Sequence, residues 1–435
     1  MLSSLTLALP QRIALSALVG GLALLIAWWS VPSWLAPRVR GWRPRTLILL
    51  VGSIALVVRL IPNALLPVEA GYDVASYELV ADAVLDGRDV YTDSAAMNRH
   101  PYLPMQMYWM AAAKWIGGRV GVTFVRVVRM APILADVCLT ALIFLSLRQR
   151  VKPQNAVVLG LSYALNPVSV FVSACHGQFD AIPLLFLVAA MLTHMRRPQL
   201  SAVSLGLGIL SKSWPVLGLP TLLWRLDRWS RRLTYLLLAC LVPVLGVMLY
   251  SALFRASLLG VLGKAVGYDW GVGVWGYTYL LRLTGILVPA LNGLFAFAQR
   301  YGRFITLAIL GLVWFLRARH EVVSQSILTV FVTFFACSHA FSIQYLVWLL
   351  PLASLCQQTL WLRRYTLAAT AYMILVYSTL ILASHITNLL PWPQADWFII
   401  MPSGLPVWLI TVAWAIVRWR RPRDEHGTAI GWGIV

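Results

Sequence analysis

Apolar runs long enough to cross a bilayer recur along all 435 residues, and short basic links separate them. A membrane-spanning helix needs about 20 consecutive apolar residues, and several runs here reach that length. Only helices and closed barrels satisfy every backbone polar group in lipid, and runs of this length fit helices. Charged residues make up 11% of the chain, against about 25% in soluble domains. The sequence therefore predicts an all-α, polytopic membrane protein, with residues 1–435 forming one transmembrane domain. Length counts helices here, not soluble domains.

The net charge of +20 would suit a nucleic-acid binder, but its placement points elsewhere. Arg and Lys gather in short links at 38–45, 148–152, 196–197, 225–232, 317–319, 363–364 and 418–423, which hold 21 of the 35 basic residues. That is the positive-inside pattern, so these links and the tail 418–435 are expected in the cytoplasm. The five cysteines lie singly in apolar segments, with neither metal-ligand spacing nor a disulfide framework. The first apolar run lacks a small-residue cleavage site and reads as a retained helix. The chain contains no N-x-S/T sequon, which favours a bacterial plasma membrane.

Counting apolar runs between links gives 11–13 transmembrane helices. The segment 199–226 has basic clusters at both ends and Lys212-Ser-Trp-Pro215 in the middle, so it reads as a hairpin of two short helices with its tip at Lys212. Two polar stretches interrupt the pattern on the opposite side: a first external loop, 67–125, and a second, 255–302. Part of the second, 283–298, is apolar and interfacial in character, with spans resuming at 304–316, 322–340, 345–360, 365–389 and 402–417.

Seven of the fifteen acidic residues fall between Glu69 and Asp93. Glu78, Asp82 and Asp86 recur every fourth residue, with Tyr77, Val80, Ala81, Val84 and Leu85 on the other face. That spacing predicts an amphipathic surface helix ended by Gly87. Asp86-Gly-Arg-Asp89 reads as a turn, not as a metal-binding acidic pair. A stretch from Pro101 to Trp115, too short to cross, is expected at the interface.

Helix parity places an unusual set of polar residues at outer helix ends: Asp73, Glu78, Arg99, His100, His176, Gln178, Asp180, Lys212, Lys264, Asp269, Arg282, His339, Gln344 and Tyr345. Ionisable groups beside membrane segments are costly and are functional candidates by default. Their convergence on one side implies a site that meets a lipid-embedded substrate from outside. Plainer roles compete. Asp73 suits a helix N-cap, and Lys212 a side chain reaching toward water. Asp82 and Asp86 suit a solvated face, and Gln344 with Tyr345 a helix fastening. Asp136, in mid-membrane, is expected to pair with a buried Arg or polar group. Trp270, Trp275, Trp392 and Trp397 read as an interfacial belt.

Three motifs in order carry a family resemblance across residues 45–355. Asp73, Tyr77, Gly87 and Tyr91 followed by Pro101-Tyr-Leu-Pro104 resemble the first external loop of the GT-C superfamily of integral-membrane glycosyltransferases. Asn166-Pro-Val-Ser-Val-Phe-Val-Ser-Ala-Cys-His-Gly-Gln-Phe-Asp-Ala-Ile-Pro183 looks like the "NP…GQFDA" signature of bacterial members. Ser342-Ile-Gln-Tyr-Leu-Val-Trp-Leu-Leu-Pro351 resembles the "SPQYLLWLLP" helix of polyprenyl-phosphate-mannose-dependent mannosyltransferases. That group includes the mycobacterial phosphatidylinositol-mannoside enzymes. Ile343 departs from the family's Pro, and Ser211–Pro215 from its usual Lys-Pro spacing.

The resemblance implies a GT-C fold with external interfacial helices. It also implies inverting transfer of a hexose, mannose by analogy, from a polyprenyl-phosphate sugar to a lipid-linked or cell-envelope acceptor in glycolipid biosynthesis. Such chemistry needs a carboxylate as general base, here Asp73, and cations to stabilise the departing phosphate. His339 is the first candidate for the phosphate, with Lys212, His176, Gln178, Asp180, Lys264, Arg282, Gln344, Tyr345, Arg99, His100 and Glu78 around the substrates. No metal or other cofactor is expected, since a monophosphate donor does not demand one. The rival reading is a transporter or lipid flippase, which would show broken helices, internal repeats and midplane polar groups.

Overall fold

The computed structural model describes residues 9–65, 71–266, 271–378, 398 and 400–420. Glu69, Asp269, Trp270, Trp392, Trp397 and residues 421–435 of the tail lie outside them. Among the described residues, nineteen α-helices are joined by short 3₁₀ and π turns, and one isolated bridge, Val272 with Ala340, is the sole β pairing. The protein is an all-α, multi-pass membrane protein.

Helix α1 (Leu9–Leu35) and α2 (Pro44–Leu65) flank the first basic link, and α3 (Gly71–Leu85) follows on the acidic side. Helices α4 (Met105–Val120) and α5 (Phe124–Val128) lead into α6 (Met130–Leu147). Then come α7 (Pro153–Ala164), α8 (Pro167–Val170), a π turn (Phe171–His176), α9 (Ala181–Thr193) and α10 (Pro198–Ser211). A 3₁₀ turn (Trp214–Gly218) precedes α11 (Leu219–Trp224), α12 (Trp229–Phe254), α13 (Leu258–Val266) and α14 (Gly276–Leu287). The chain closes with α15 (Asn292–Leu316), α16 (Val323–Cys337), α17 (Leu349–Leu355), α18 (Thr359–Val376) and α19 (Leu405–Arg420).

Six stretches among the described residues are long and apolar enough to cross a membrane. A seventh forms if α7 and the segment Pro167–His176, bent by 45°, count as one. The remaining apolar helices, such as α9 with 13 residues and α10 with 14, fall short of a crossing. The expected 11–13 helices are thus not all full-length spans. The reason is local chemistry. Pro167 cannot donate to the α7 ladder, and Asn166 instead caps the new helix, its side chain accepting from Val168 N at 3.1 Å. The Asn166 amide also donates to Thr366 on α18 at 2.8 Å, which holds the bend in place. Such breaks are tolerated at membrane depth only inside protein, and Asn166 is fully buried.

Among the described residues, the second polar stretch holds helices α13 and α14, and α15 begins at Asn292, twelve residues before the expected span, carrying Gln299, Arg300 and Arg303 in its first half. Trp275 is not a belt residue. It is buried, donates to Phe335 O at 3.0 Å and stacks on Phe341 at 3.8 Å.

Two main cores and two smaller apolar clusters lie among the described residues. The larger core joins α2, α6, α7, α9 and α16–α18 through Val51, Leu139, Leu184, Phe331 and Tyr365. The second core lies beneath the acidic side, where Val74, Tyr77 and Val80 of α3 meet Met107 and Met110 of α4, with Val128 and Phe179. Helix α3 therefore lies on α4 as predicted for an amphipathic helix, although Leu85, expected inward, is 47% exposed. It ends at Gly87, whose φ of +70° suits a residue without Cβ. Arg88 then binds Asp86 at 2.9 Å and Asp93, while Asp89 accepts from Tyr91 N at 3.1 Å. This is the expected turn.

Asp136 finds the partner that its depth demands. Arg59 of α2 donates Nε to Asp136 Oδ2 at 2.9 Å, and both side chains are fully buried. The rest of the guanidinium donates to Ser169 Oγ at 2.7 Å and Ala164 O at 2.8 Å, and Tyr163 donates to the other carboxylate oxygen. Buried charge is tolerable when paired and hydrogen-bonded in this way.

Candidate functional site

The centre of the site is the first turn of α3. Asp73 sits there with its side chain 39% exposed, held by the last residue of the π turn and by a residue just after it. His176 Nε2 lies 2.6 Å from Asp73 Oδ2, and Gln178 Nε2 donates to the same oxygen at 2.9 Å. The His176 Nδ1 contacts the Tyr377 hydroxyl at 2.8 Å, which fixes the ring from behind. The other carboxylate oxygen, Oδ1, receives no hydrogen bond among the described residues. One oxygen is anchored, on a side chain that is partly exposed.

Local structure explains this aim. The π turn adds a residue to the helical cycle, a device common at functional sites. It is closed by Gly177 at φ +81°, where a Cβ would stand 2.9 Å from Arg129 Cγ. Both the positive φ and the tight approach require glycine. Buried Arg129 also donates to Cys175 O, tying the end of α5 to the same turn.

Behind Gln178 stands a second pair. Lys212 Nζ lies 2.7 Å from Asp180 Oδ2 and 3.5 Å from Gln178 Oε1. Trp348 Nε1 donates to Asp180 Oδ1 at 2.8 Å. Helix α10 does break at the expected tip, but Lys212 is 2% exposed and does not reach for water. Its ammonium lies 4.6 Å over the ring of Tyr102, so the Pro101–Pro104 segment roofs it. Trp348 in turn stacks on Trp214 at 4.2 Å and on Tyr345 at 4.3 Å. Tyr345 thus packs into the wall behind Asp180, and the adjacent Gln344 is buried.

Burial alone would raise the Asp73 carboxyl pKa. The hydrogen bond and charge of His176, then Gln178 and Lys212, outweigh it and hold the group below the ordinary carboxylate value. Asp73 is therefore ionised at neutral pH. His100 shows the reverse balance. It is buried, with Nε2 3.3 Å from Leu103 O, and its pKa is pushed down to about 4, mainly by burial. At neutral pH it is uncharged, and it packs edge-on against Tyr102 at 5.5 Å.

Of the remaining expected residues, Arg99 is the one placed against the first turn of α3. It reaches Ser76 Oγ at 3.4 Å and lies 4.2 Å over the ring of Tyr72, the residue before Asp73. Glu78 does not face the site. It binds Lys114 of α4 at 3.2 Å, beside Asp82 at 2.6 Å, and so clamps the two surface helices. Lys264 donates to Asn98 Oδ1 at 3.1 Å in an exposed contact. Arg282 lies over Phe295 in a separate cavity of about 400 Å³. His339 packs against Gly302 of α15, beside the Val272–Ala340 bridge.

Sequence reasoning missed Arg129, Trp348 and Tyr377, the three residues that hold the inner side of the site. Trp348 lies within a quoted motif, so its signal was present; Arg129 and Tyr377 sit within otherwise apolar context. Among the described residues, no cluster of three or more His, Cys, Asp or Glu side chains is arranged to hold a metal. Comparison with protein families, with curated proteins and with solved structures finds no match to this chain.

Proposed function

We propose that this protein is a GT-C-type glycosyltransferase that moves a hexose, with mannose the first candidate, from a polyprenyl phosphate to a lipid-linked acceptor. The observation that supports this reading is the half-anchored carboxylate of Asp73. His176 and Gln178 fix its position and keep it ionised, while Oδ1 is left to accept a proton. An acceptor hydroxyl donates to Oδ1 and attacks the anomeric carbon. The bond from that carbon to the phosphate oxygen breaks, and polyprenyl phosphate leaves as an anion. Arg99, lying over the residue before Asp73, replaces His339 as the first candidate for the phosphate. Lys212, whose charge is offset by Asp180, positions Gln178. The distribution of basic links supports a reading in which this end of the protein faces the outside of a bacterial plasma membrane.

The test uses purified protein with labelled polyprenyl-phosphate mannose and a bacterial lipid extract. Labelled glycolipid is expected, and Asp73→Asn should lower its formation by about 10²–10⁴-fold with folding unchanged. Full transfer by Asp73→Asn, or none by the wild type, overturns the proposal. Two broken helices, at Asn166–Pro167 and at Lys212, favour a second reading as a transporter or flippase. Lipid translocation in vesicles with no glycosyl transfer would support that one instead.

A further inference from the structure

A cavity of about 650 Å³ opens at the other end of the helices that carry the Asp73 site. Helix α9 runs from Asp180 for 13 residues, about 20 Å, to His194, and α10 returns from Pro198 toward Lys212. The cavity lies between this far turn and the start of α12. It is lined by His194, Arg196, Gln199, Arg225, Arg231 and Tyr235.

His194 is 1% exposed, yet neither ring nitrogen has a hydrogen-bond partner among the described residues. The ring stands edge-on to Tyr235 at 5.5 Å, so packing holds it at the cavity wall. A buried donor or acceptor without a partner is rare in a native fold and calls for one. Three guanidiniums line the same space. The single carboxylate there, Asp227, pairs with Arg231 at 3.2 Å, which leaves an excess of positive charge. Around the start of α12, Trp229, Leu233 and Leu237 are exposed, the arrangement of a helix entering lipid at a headgroup boundary.

We propose that this cavity binds the anionic phosphate ester of a membrane lipid headgroup from the leaflet that the basic links face. The ester oxygens accept from an N–H of His194 and from the guanidiniums of Arg196, Arg225 and Arg231, while the acyl chains lie along Leu233 and Leu237. Basic pockets between helices at this depth are suited to acidic headgroups. This site stands independently of glycosyl transfer.

Thermal unfolding of the full-length protein in neutral detergent tests it, with short-chain phosphatidylglycerol, phosphatidylcholine and inorganic phosphate as probes. Phosphatidylglycerol should raise the midpoint saturably, beyond any effect of phosphatidylcholine. Arg196→Gln, at an exposed position, should weaken that response by about fivefold. His194→Phe keeps the packing on Tyr235 and removes both nitrogens. It should unfold no earlier than wild type without lipid, yet lose the response. An equal response to inorganic phosphate, abolished in His194→Phe, supports the anion site but assigns it to a soluble phosphate. No selective response, or an undiminished one in both variants, overturns the proposal.

Discussion

Two groups of buried charge lie within the same bundle and are finished differently. At Arg59–Asp136, Oδ2 and Oδ1 of the carboxylate both have partners, the guanidinium reaches three further acceptors, and nothing is exposed. At Asp73 one oxygen takes two partners and the other takes none among the described residues, on a side chain 39% exposed. On the proposed reading, burial alone does not separate structural from functional charge here. Completeness does: a closed network has no capacity left for a substrate, whereas Asp73 retains an unused acceptor held in place by rigid neighbours.

The sharpest way to break this comparison is to remove one partner from each group. Arg59→Met leaves Asp136 buried and unpaired, and should cost about 3–5 kcal/mol in unfolding experiments. Adding Asp136→Leu should recover most of that loss. Asp73→Asn, by contrast, should leave the unfolding midpoint nearly unchanged while glycosyl transfer falls as described above. If the two variants exchange these phenotypes, the distinction fails.

Acidity probes the roof over the second pair. His100 folds with its pKa lowered to about 4, so the folded state resists protonation that the unfolded chain accepts near 6.5. Stability should therefore be intact above pH 6.5 and fall between there and pH 4, by up to about 3 kcal/mol. His100→Gln should flatten that slope in a pH series of unfolding midpoints. The Asp73 group acts in the same direction but in a lower pH window. With its pKa lowered, it contributes stability above the unfolded value near 3.9 and loses it only as pH falls below that. The smallest effect belongs to Lys114→Ala, which releases Glu78 and Asp82 at a half-exposed position and should cost about 0.2–1 kcal/mol.

What could be read from the chain follows from the range of each interaction. The surface helix α3, the break after Lys212 and the turn at Gly87 depend on residues within a few positions, and local patterns revealed them. Asp136 announced that it needed a buried partner, because a carboxylate at that depth cannot stand alone. Its partner, 77 residues away, depends on how α2 packs against α6, which no local pattern encodes. Lys212 suited a solvent-seeking tip on composition, and only the fold brings Asp180 and Tyr102 around it. Glu78 was misplaced for the mirror reason: Lys114 approaches from α4, on a face that the α3 pattern could only mark as polar.

The π turn at Phe171–His176 makes the site sensitive to counting. Each residue of an ordinary helix advances the chain by about 100°, so a single deletion between Val170 and Cys175 would swing His176 by roughly that angle. Side chains along this stretch can vary in size with modest loss, because they only fill the core. Their number cannot. The direction in which His176 and Gln178 point is stored as angular phase along the backbone, and a change of one codon in length would erase it where many changes of identity would not.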